Sequence, residues 1–183
     1  MKKFLPILFI GFLAACSSVK VSNTESAANT DFTKYKTFDF YSLTASGDTS
    51  SKGFDERVAV LKSAISAELS KRGYTQRSSN PELLVNIGIQ VEEKAQTRET
   101  DWRTDGRYKY VGQRNYSWKS EEVVVGYYKE GTVTVHVVDA ATNSMVWKGT
   151  VKDILPSKAS KIEDLANSAM KSLFGKYPVP AAK

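Results

Sequence analysis

The sequence predicts an α+β fold: a mostly antiparallel sheet of about five strands with two helices packed on one face, in the order strand, helix, strand, strand, strand, strand, helix. Three observations predict it. Apolar residues recur at helical spacing in two separated stretches, they alternate with polar residues in the stretches between, and short turn signals join the alternating stretches. Each helix then has one apolar stripe and the sheet one apolar face, so burying all three together puts both helices on the same side.

In chain order, Tyr35-Lys36-Thr37-Phe38-Asp39-Phe40-Tyr41 is rich in aromatics and threonine and suits a first strand. A loop rich in serine and glycine is expected from Ser42 to Gly53. Between Phe54 and Arg72, the residues Val58, Leu61, Ile65 and Leu69 share one helical face, and Gly73 supplies a left-handed stop. After Asn80-Pro81 the apolar residues Leu83, Val85, Ile87, Ile89 and Val91 alternate as a second strand, expected to pair in parallel with the first across a right-handed crossover. Strands from Glu122 to Tyr128 and from Thr132 to Asp139 flank a Lys129-Glu130-Gly131 turn, and a turn from Asp139 to Ser144 leads into a last strand, Met145 to Ile154. Ser160 and Glu163 have the spacing of a capping box ahead of Ile162, Leu165, Ala166, Ala169, Met170, Leu173 and Phe174, a second amphipathic helix closed by Gly175 and Pro178. The opposite sheet face would carry Asn86, Gln90, Thr134, His136, Lys148 and Lys152.

The N-terminus has the three parts of a secretory signal: Lys2 and Lys3, the apolar run Phe4 to Phe12, and the small residues Ala14 and Ala15. The apolar run is too short to span a bilayer as a mature helix. Leu13-Ala14-Ala15-Cys16 resembles the bacterial lipobox, which implies removal of residues 1–15, a diacylglycerol on the Cys16 thiol and acylation of its new amino group. Three acyl chains exceed the two signals that stable anchoring needs. In the sorting rule for such lipoproteins an aspartate after the cysteine retains the protein in the inner membrane; Ser17 here implies the outer membrane. Cys16 is the only cysteine, so its acylation leaves no thiol for a disulfide, a nucleophile or a metal. Residues 16–30 are expected to be the lipidated cysteine and a flexible polar tether, holding the domain roughly 20 Å from the lipid. A single domain is expected over 31–178, with 179–183 as a short tail.

Charge narrows the partners. The chain has 26 basic and 20 acidic residues, and loss of Lys2 and Lys3 with the signal leaves a small, interspersed excess. That balance argues against nucleic acid as a partner.

Several segments together resemble a known family: Asp31-Phe32-Thr33-Lys34-Tyr35-Lys36-Thr37-Phe38, Lys71-Arg72-Gly73-Tyr74, Asn80-Pro81-Glu82-Leu83-Leu84-Val85, Gly131 to Val135, Val138 to Asn143, Val146-Trp147-Lys148-Gly149 and Tyr177-Pro178. Their ordered set is similar to the bacterial lipoprotein family catalogued as domain of unknown function 4136. The resemblance implies a lipid-anchored envelope protein with an α+β domain; it implies no activity and carries over no catalytic residue. At the level of pattern alone, the helix ending in Arg72-Gly73-Tyr74 also looks like small domains of outer-membrane assembly lipoproteins and secretion-pore factors, which does not fix function.

Catalytic constellations are sparse. The sole histidine, His136, lies between Val135 and Val137 on a strand and points to the wet face, away from any held nucleophile. Asp101, Asp105 and Gly106 lack the ligand register of a calcium loop. Glu92, Glu93, Glu99 and Asp101 could pair for glycoside hydrolysis, but Lys94, Arg98 and Arg103 beside them favour a solvated charge cluster. No metal or cofactor is expected beyond the covalent lipid.

The segment in excess of the fold's needs runs from Glu93 to Trp118, where Trp102, Tyr108, Tyr110, Tyr116 and Trp118 sit among Arg98, Arg103, Arg107, Lys109 and Arg114. Aromatics and arginine dominate protein interfaces and stack on sugars. Of these, Arg98, Trp102, Arg103, Arg107, Tyr108, Tyr110, Arg114 and Trp118 are the candidate partner-binding residues; the plainer reading is a twisted hairpin extension covering a sheet edge. The expected function is that of a non-catalytic, periplasm-facing outer-membrane lipoprotein binding another envelope component. Its rivals are a module for glycan or anionic lipid headgroups and, third, an envelope hydrolase.

Overall fold

The computed structural model describes residues 19–48, 53–106 and 118–182. The signal segment, Cys16, and four of the candidate residues (Arg107, Tyr108, Tyr110 and Arg114) lie outside them. Six strands form one sheet: β1 (Lys20–Ser26), β2 (Thr37–Gly47), β3 (Thr75–Gln76), β4 (Leu83–Glu99), β5 (Glu122–Asp139) and β6 (Ser144–Ile154). Their spatial order is β1-β6-β5-β4-β2-β3. Pairing is antiparallel for β1 with β6, β6 with β5 and β5 with β4, and parallel for β2 with β4 and with β3. Three helices complete the fold: α1 (Phe54–Ser70), the single turn α2 (Trp102–Asp105) and α3 (Ile162–Phe174). The α+β class and the parallel pairing of the two strands around α1 are as expected; among the described residues the element count is six strands and three helices.

Helix α1 buries Leu61, Ile65 and Leu69 of the stripe its spacing predicts, with Ala64 beside them and Val58 half-buried, and α3 buries Ala169, Met170, Leu173 and Phe174. Both pack into one cluster with Phe38, Leu83, Val85, Ile87, Val135, Val137, Trp147 and Val151 from the sheet. Gly73 adopts φ +87, and the Tyr74 N–H reaches back to the Leu69 carbonyl at 3.2 Å, a Schellman closure of α1. Arg72, just before it, is buried against Glu68 at 2.8 Å and donates to the Phe174 carbonyl at 2.6 Å, tying the ends of α1 and α3. Asp139 closes the β5–β6 turn by accepting from the Ala141 and Thr142 N–H groups while Tyr35 Oη donates to its other oxygen at 2.7 Å. These donors, the Tyr35 hydroxyl first, hold its carboxyl well below the usual carboxylate range.

Five expectations are corrected. Residues 20–26, read as part of a flexible tether, form the edge strand β1: Val21 is its one apolar side chain, so it carries no alternation, but its backbone pairs with β6 from Lys20 opposite Lys152 to Ser26 opposite Trp147. The loop expected from Ser42 is strand as far as Gly47, because the backbone of β2 continues to pair with β4 up to Val91. The turn expected at Lys129-Glu130-Gly131 does not form; β5 runs straight through, and a side chain at Gly131 would meet Leu155 Cδ2 at 2.8 Å. Ser160 does not cap α3, whose entry is a 3-10 turn at Ala159–Lys161. The tail from 179 is held, with Val179 against the core and the Ala182 N–H donating to the Lys71 carbonyl at 2.7 Å.

Candidate functional site

Strands β4 and β5 stay paired beyond the rest of the sheet. Strand β2 leaves β4 at Val91, opposite Gly47, and β6 leaves β5 at Glu130, opposite Ile154. From Glu92 to Glu99 and from Glu122 to Lys129 the two strands therefore form a ribbon of two, with register Glu93 to Lys129, Ala95 to Tyr127 and Arg98 to Val123, and a bulge that inserts Val125. At about 3.3 Å per residue, this arm reaches roughly 25 Å past the sheet.

Alternation divides the arm into two faces. One continues the face covered by α1 and α3, and carries Glu93, Ala95, Thr97 and Glu99 on β4 with Val124 and Tyr127 on β5. No helix among the described residues covers it: Tyr127 is 69% and Val124 53% exposed, and Val125 at the bulge 49%. Its polar members pair among themselves, Thr97 Oγ1 donating to Glu122 at 2.5 Å, and Lys129 reaches Asp48 at the end of β2. On the other face Lys94 bonds Glu130 at 2.5 Å, which raises the lysine pKa and lowers that of the carboxyl.

The arm's outer end explains three of the candidates. Arg98 makes a two-pronged ion pair with Asp105 at 2.6 and 2.8 Å, and that guanidinium is the main reason the Asp105 carboxyl is held far below its usual range. Asp101 caps α2 by accepting from the Arg103 N–H at 2.7 Å. Trp102 is left 58% exposed with the Arg103 guanidinium 5.5 Å from its ring centre. Trp118 is half-buried where the chain returns. So Arg98 serves the arm's own structure, whereas Trp102 is available, and the segment 93–99, read as loop, is strand.

Chain residues missed as candidates are Val124, Val125 and Tyr127. Their signal was present: Val123-Val124-Val125 is an apolar run with no interruption, where a strand with one wet face should alternate.

The possible catalytic groups are dispersed. His136 sits between Asn86 and Lys148 across the strands, neither of which is a hydroxyl or thiol that it could activate, and burial together with Lys148 lowers its pKa. Glu92 and Glu93 are adjacent on a strand and point to opposite faces, so they do not converge on one bond. Among the described residues no group of three His, Cys, Asp or Glu could hold a metal.

Where the arm begins, a half-open groove of about 110 Å³ lies between α1, α3 and the sheet. Phe54, Val58, Leu165 and Met170 form its helix side, and Val91 and Val133 its floor. The opposite sheet face has a shallow depression lined by the hydroxyls of Thr44, Ser46, Thr132 and Thr134.

The family described as Domain of unknown function (DUF4136) matches residues 22–179. No curated protein sequence matches the chain. Among solved structures, a DUF4136 family protein from Bacteroides thetaiotaomicron aligns at 12% identity and TM-score 0.53, covering 91% of this chain and all of that one. A PDZ domain protein from Parabacteroides distasonis aligns at 16% identity and TM-score 0.51, covering 90% of this chain but only 36% of that one. At such identities the likeness is one of fold.

Proposed function

The chain belongs to the DUF4136 family, and from that premise we propose that it is a non-catalytic cell-envelope protein, lipid-anchored through Cys16 on the outer membrane and facing the periplasm, whose β4–β5 arm binds another envelope protein. The observation that carries the reading is the arm itself. A two-stranded ribbon is marginal in water on its own, and this one exposes Val124, Val125 and Tyr127 on the very face that the helices cover elsewhere. Unpartnered apolar surface of this kind, with a polar rim and an aromatic at its centre, is the makeup of a protein interface. Glu93, Glu99 and Glu122 rim the stripe, so the partner surface is apolar with basic neighbours. No helix among the described residues is long and apolar enough to cross a membrane.

Photocrosslinking in intact cells tests it. A benzophenone side chain at Tyr127 or Trp102 is expected to give one discrete adduct with a protein, and the same group at Thr150 on the polar sheet face none. Equal labelling from Thr150, or no protein adduct from the arm, overturns the reading. An adduct carrying glycan instead moves the assignment to a carbohydrate-binding module.

A further inference from the structure

The start of β1, four residues after Cys16, and the apolar groove lie at the same end of the sheet. Lys20, Lys152, Thr132 and Gln90 stand side by side across β1, β6, β5 and β4, so β1 begins in the row just inside the one where the arm leaves the sheet. Val151, Lys152 and Asp153, beside the first residues of β1, also line the groove. Val19 and Val21 are directed to the core from that edge. Only residues 17–19 separate Cys16 from Lys20, and at the limiting extension of about 3.5 Å per residue Cys16 is within roughly 14 Å of Lys20. With residues 20–26 held in β1, that span keeps whatever Cys16 carries within reach of the groove's β6 side.

We propose that this groove seats part of one acyl chain carried by Cys16 of the same molecule. The proposal rests on the lipid-anchor reading above. Its lining is mostly aliphatic and aromatic from both helices and the sheet, with Asp48, Arg57, Lys152 and Asp153 also part of it, and an apolar cavity of on the order of 150 Å³ is large enough for a benzene ring. A half-open groove of about 110 Å³ therefore takes a section of an alkyl chain lying along it, with the remainder outside. Two further chains stay free for the bilayer, which meets the requirement of two for stable anchoring. The cations paired at that edge, Lys20 and Lys152, then lie at the level of anionic lipid headgroups.

The test places a diazirine amino acid at Leu165, inside the groove, and as a control at Met145, exposed at the other end of β6. The full chain is made in a bacterial host that acylates lipoproteins, irradiated in membranes, digested and read by mass spectrometry. The expected product joins the Leu165 peptide to the acylated Cys16 peptide, about tenfold or more above Met145, because tethering keeps the chain at millimolar effective concentration. Ala166→Phe, which narrows the groove, should remove that product while the far-ultraviolet circular dichroism is unchanged. Adducts with free phospholipid only, no lipid adduct, or equal labelling from Met145 each overturn the seat while leaving the anchor in place. An unmodified Cys16 peptide overturns the anchor itself, and is read in the same spectrum.

Discussion

The hairpin of β4 and β5 passes through two environments. Between Leu83 and Val91, opposite Gly131 to Asp139, it is the centre of the sheet, with β2 and β6 on its flanks and two helices over one face. Between Glu93 and Glu99, opposite Glu122 to Lys129, the same two strands continue in the same ladder with, among the described residues, no further strand on either flank and no helix above. In the inner half Ile87, Val135 and Val137 are essentially inaccessible; in the outer half Val124 and Tyr127 are mostly exposed. Backbone pairing is therefore not what distinguishes them. The inner half is held by burial, and the outer half presents the same kind of side chain to something else.

The largest expected effect lies in the inner half. Ile87→Ala removes a side chain from a closed layer and should cost about 2–5 kcal/mol, whereas Tyr127→Ala in the outer half should stay within about 0.5 kcal/mol. Urea unfolding of both variants measures this. A Tyr127→Ala loss as large as that of Ile87→Ala would mean that the arm folds as part of the core.

The boundary between the halves is next. Gly47 ends β2 at φ +83, and a Cβ there would lie 1.9 Å from the Val91 carbonyl oxygen. Gly47→Ala forces the strands apart at the base of the arm, with an expected cost of about 1–3 kcal/mol. Hydrogen exchange should quicken on both sides of Val91. Faster exchange in the arm alone would show that β2 contributes nothing to the inner half.

Acid separates the halves in another way. Asp139 and Asp105 both have carboxyls held below the ordinary range, the first mainly by Tyr35 and the Asp139-Thr142 turn, the second mainly by Arg98. A depressed folded-state pKa gives stability that is full above the unfolded value near 4 and is lost as pH falls toward the folded one. For Asp139 that loss belongs to global unfolding, since it joins β5, β6 and the segment before β2. For Asp105, on an arm able to open by itself, it belongs to local opening. Asp139→Asn should therefore flatten the fall in Tm between about pH 5 and 3, and Asp105→Asn should leave it unchanged. Equal flattening by both would join arm and core into one cooperative unit.

How far the sequence discloses this division depends on what holds each part. Helices α1 and α3 and the inner strands were legible because burial on one face writes a period into the side chains: Leu61, Ile65 and Leu69 at helical spacing, Leu83, Val85 and Ile87 by alternation. Strand β1 was not legible, since it is held by backbone hydrogen bonds to β6 and, Val21 apart, its side chains face water. The continuity of β5 was hidden by Gly131, which looks like a turn residue but stands inside the strand against Leu155. Of the candidate site, Trp102 was found from composition. Val124 and Tyr127 were not, because which face of a strand is bare depends on where a helix elsewhere in the chain stops.

The smallest change in stability is expected where the partner should feel most. Val124→Ala removes two methyl groups from a face that is already wet, so unfolding should shift by no more than about 0.5 kcal/mol. If the stripe is an interface, the double variant Val124→Ala with Tyr127→Ala removes its centre, where alanine substitutions commonly cost more than 1 kcal/mol each in binding. The protein adduct from Trp102, which neither change touches, should then fall by at least about tenfold. The contrast with Ile87→Ala is the point of the measurement: a core variant lowers the adduct only in proportion to unfolded protein, and the arm variant lowers it with the fold intact. An adduct that survives the double variant would leave the apolar stripe as surface that the arm merely tolerates, and would shift the contact to α2 and Trp102.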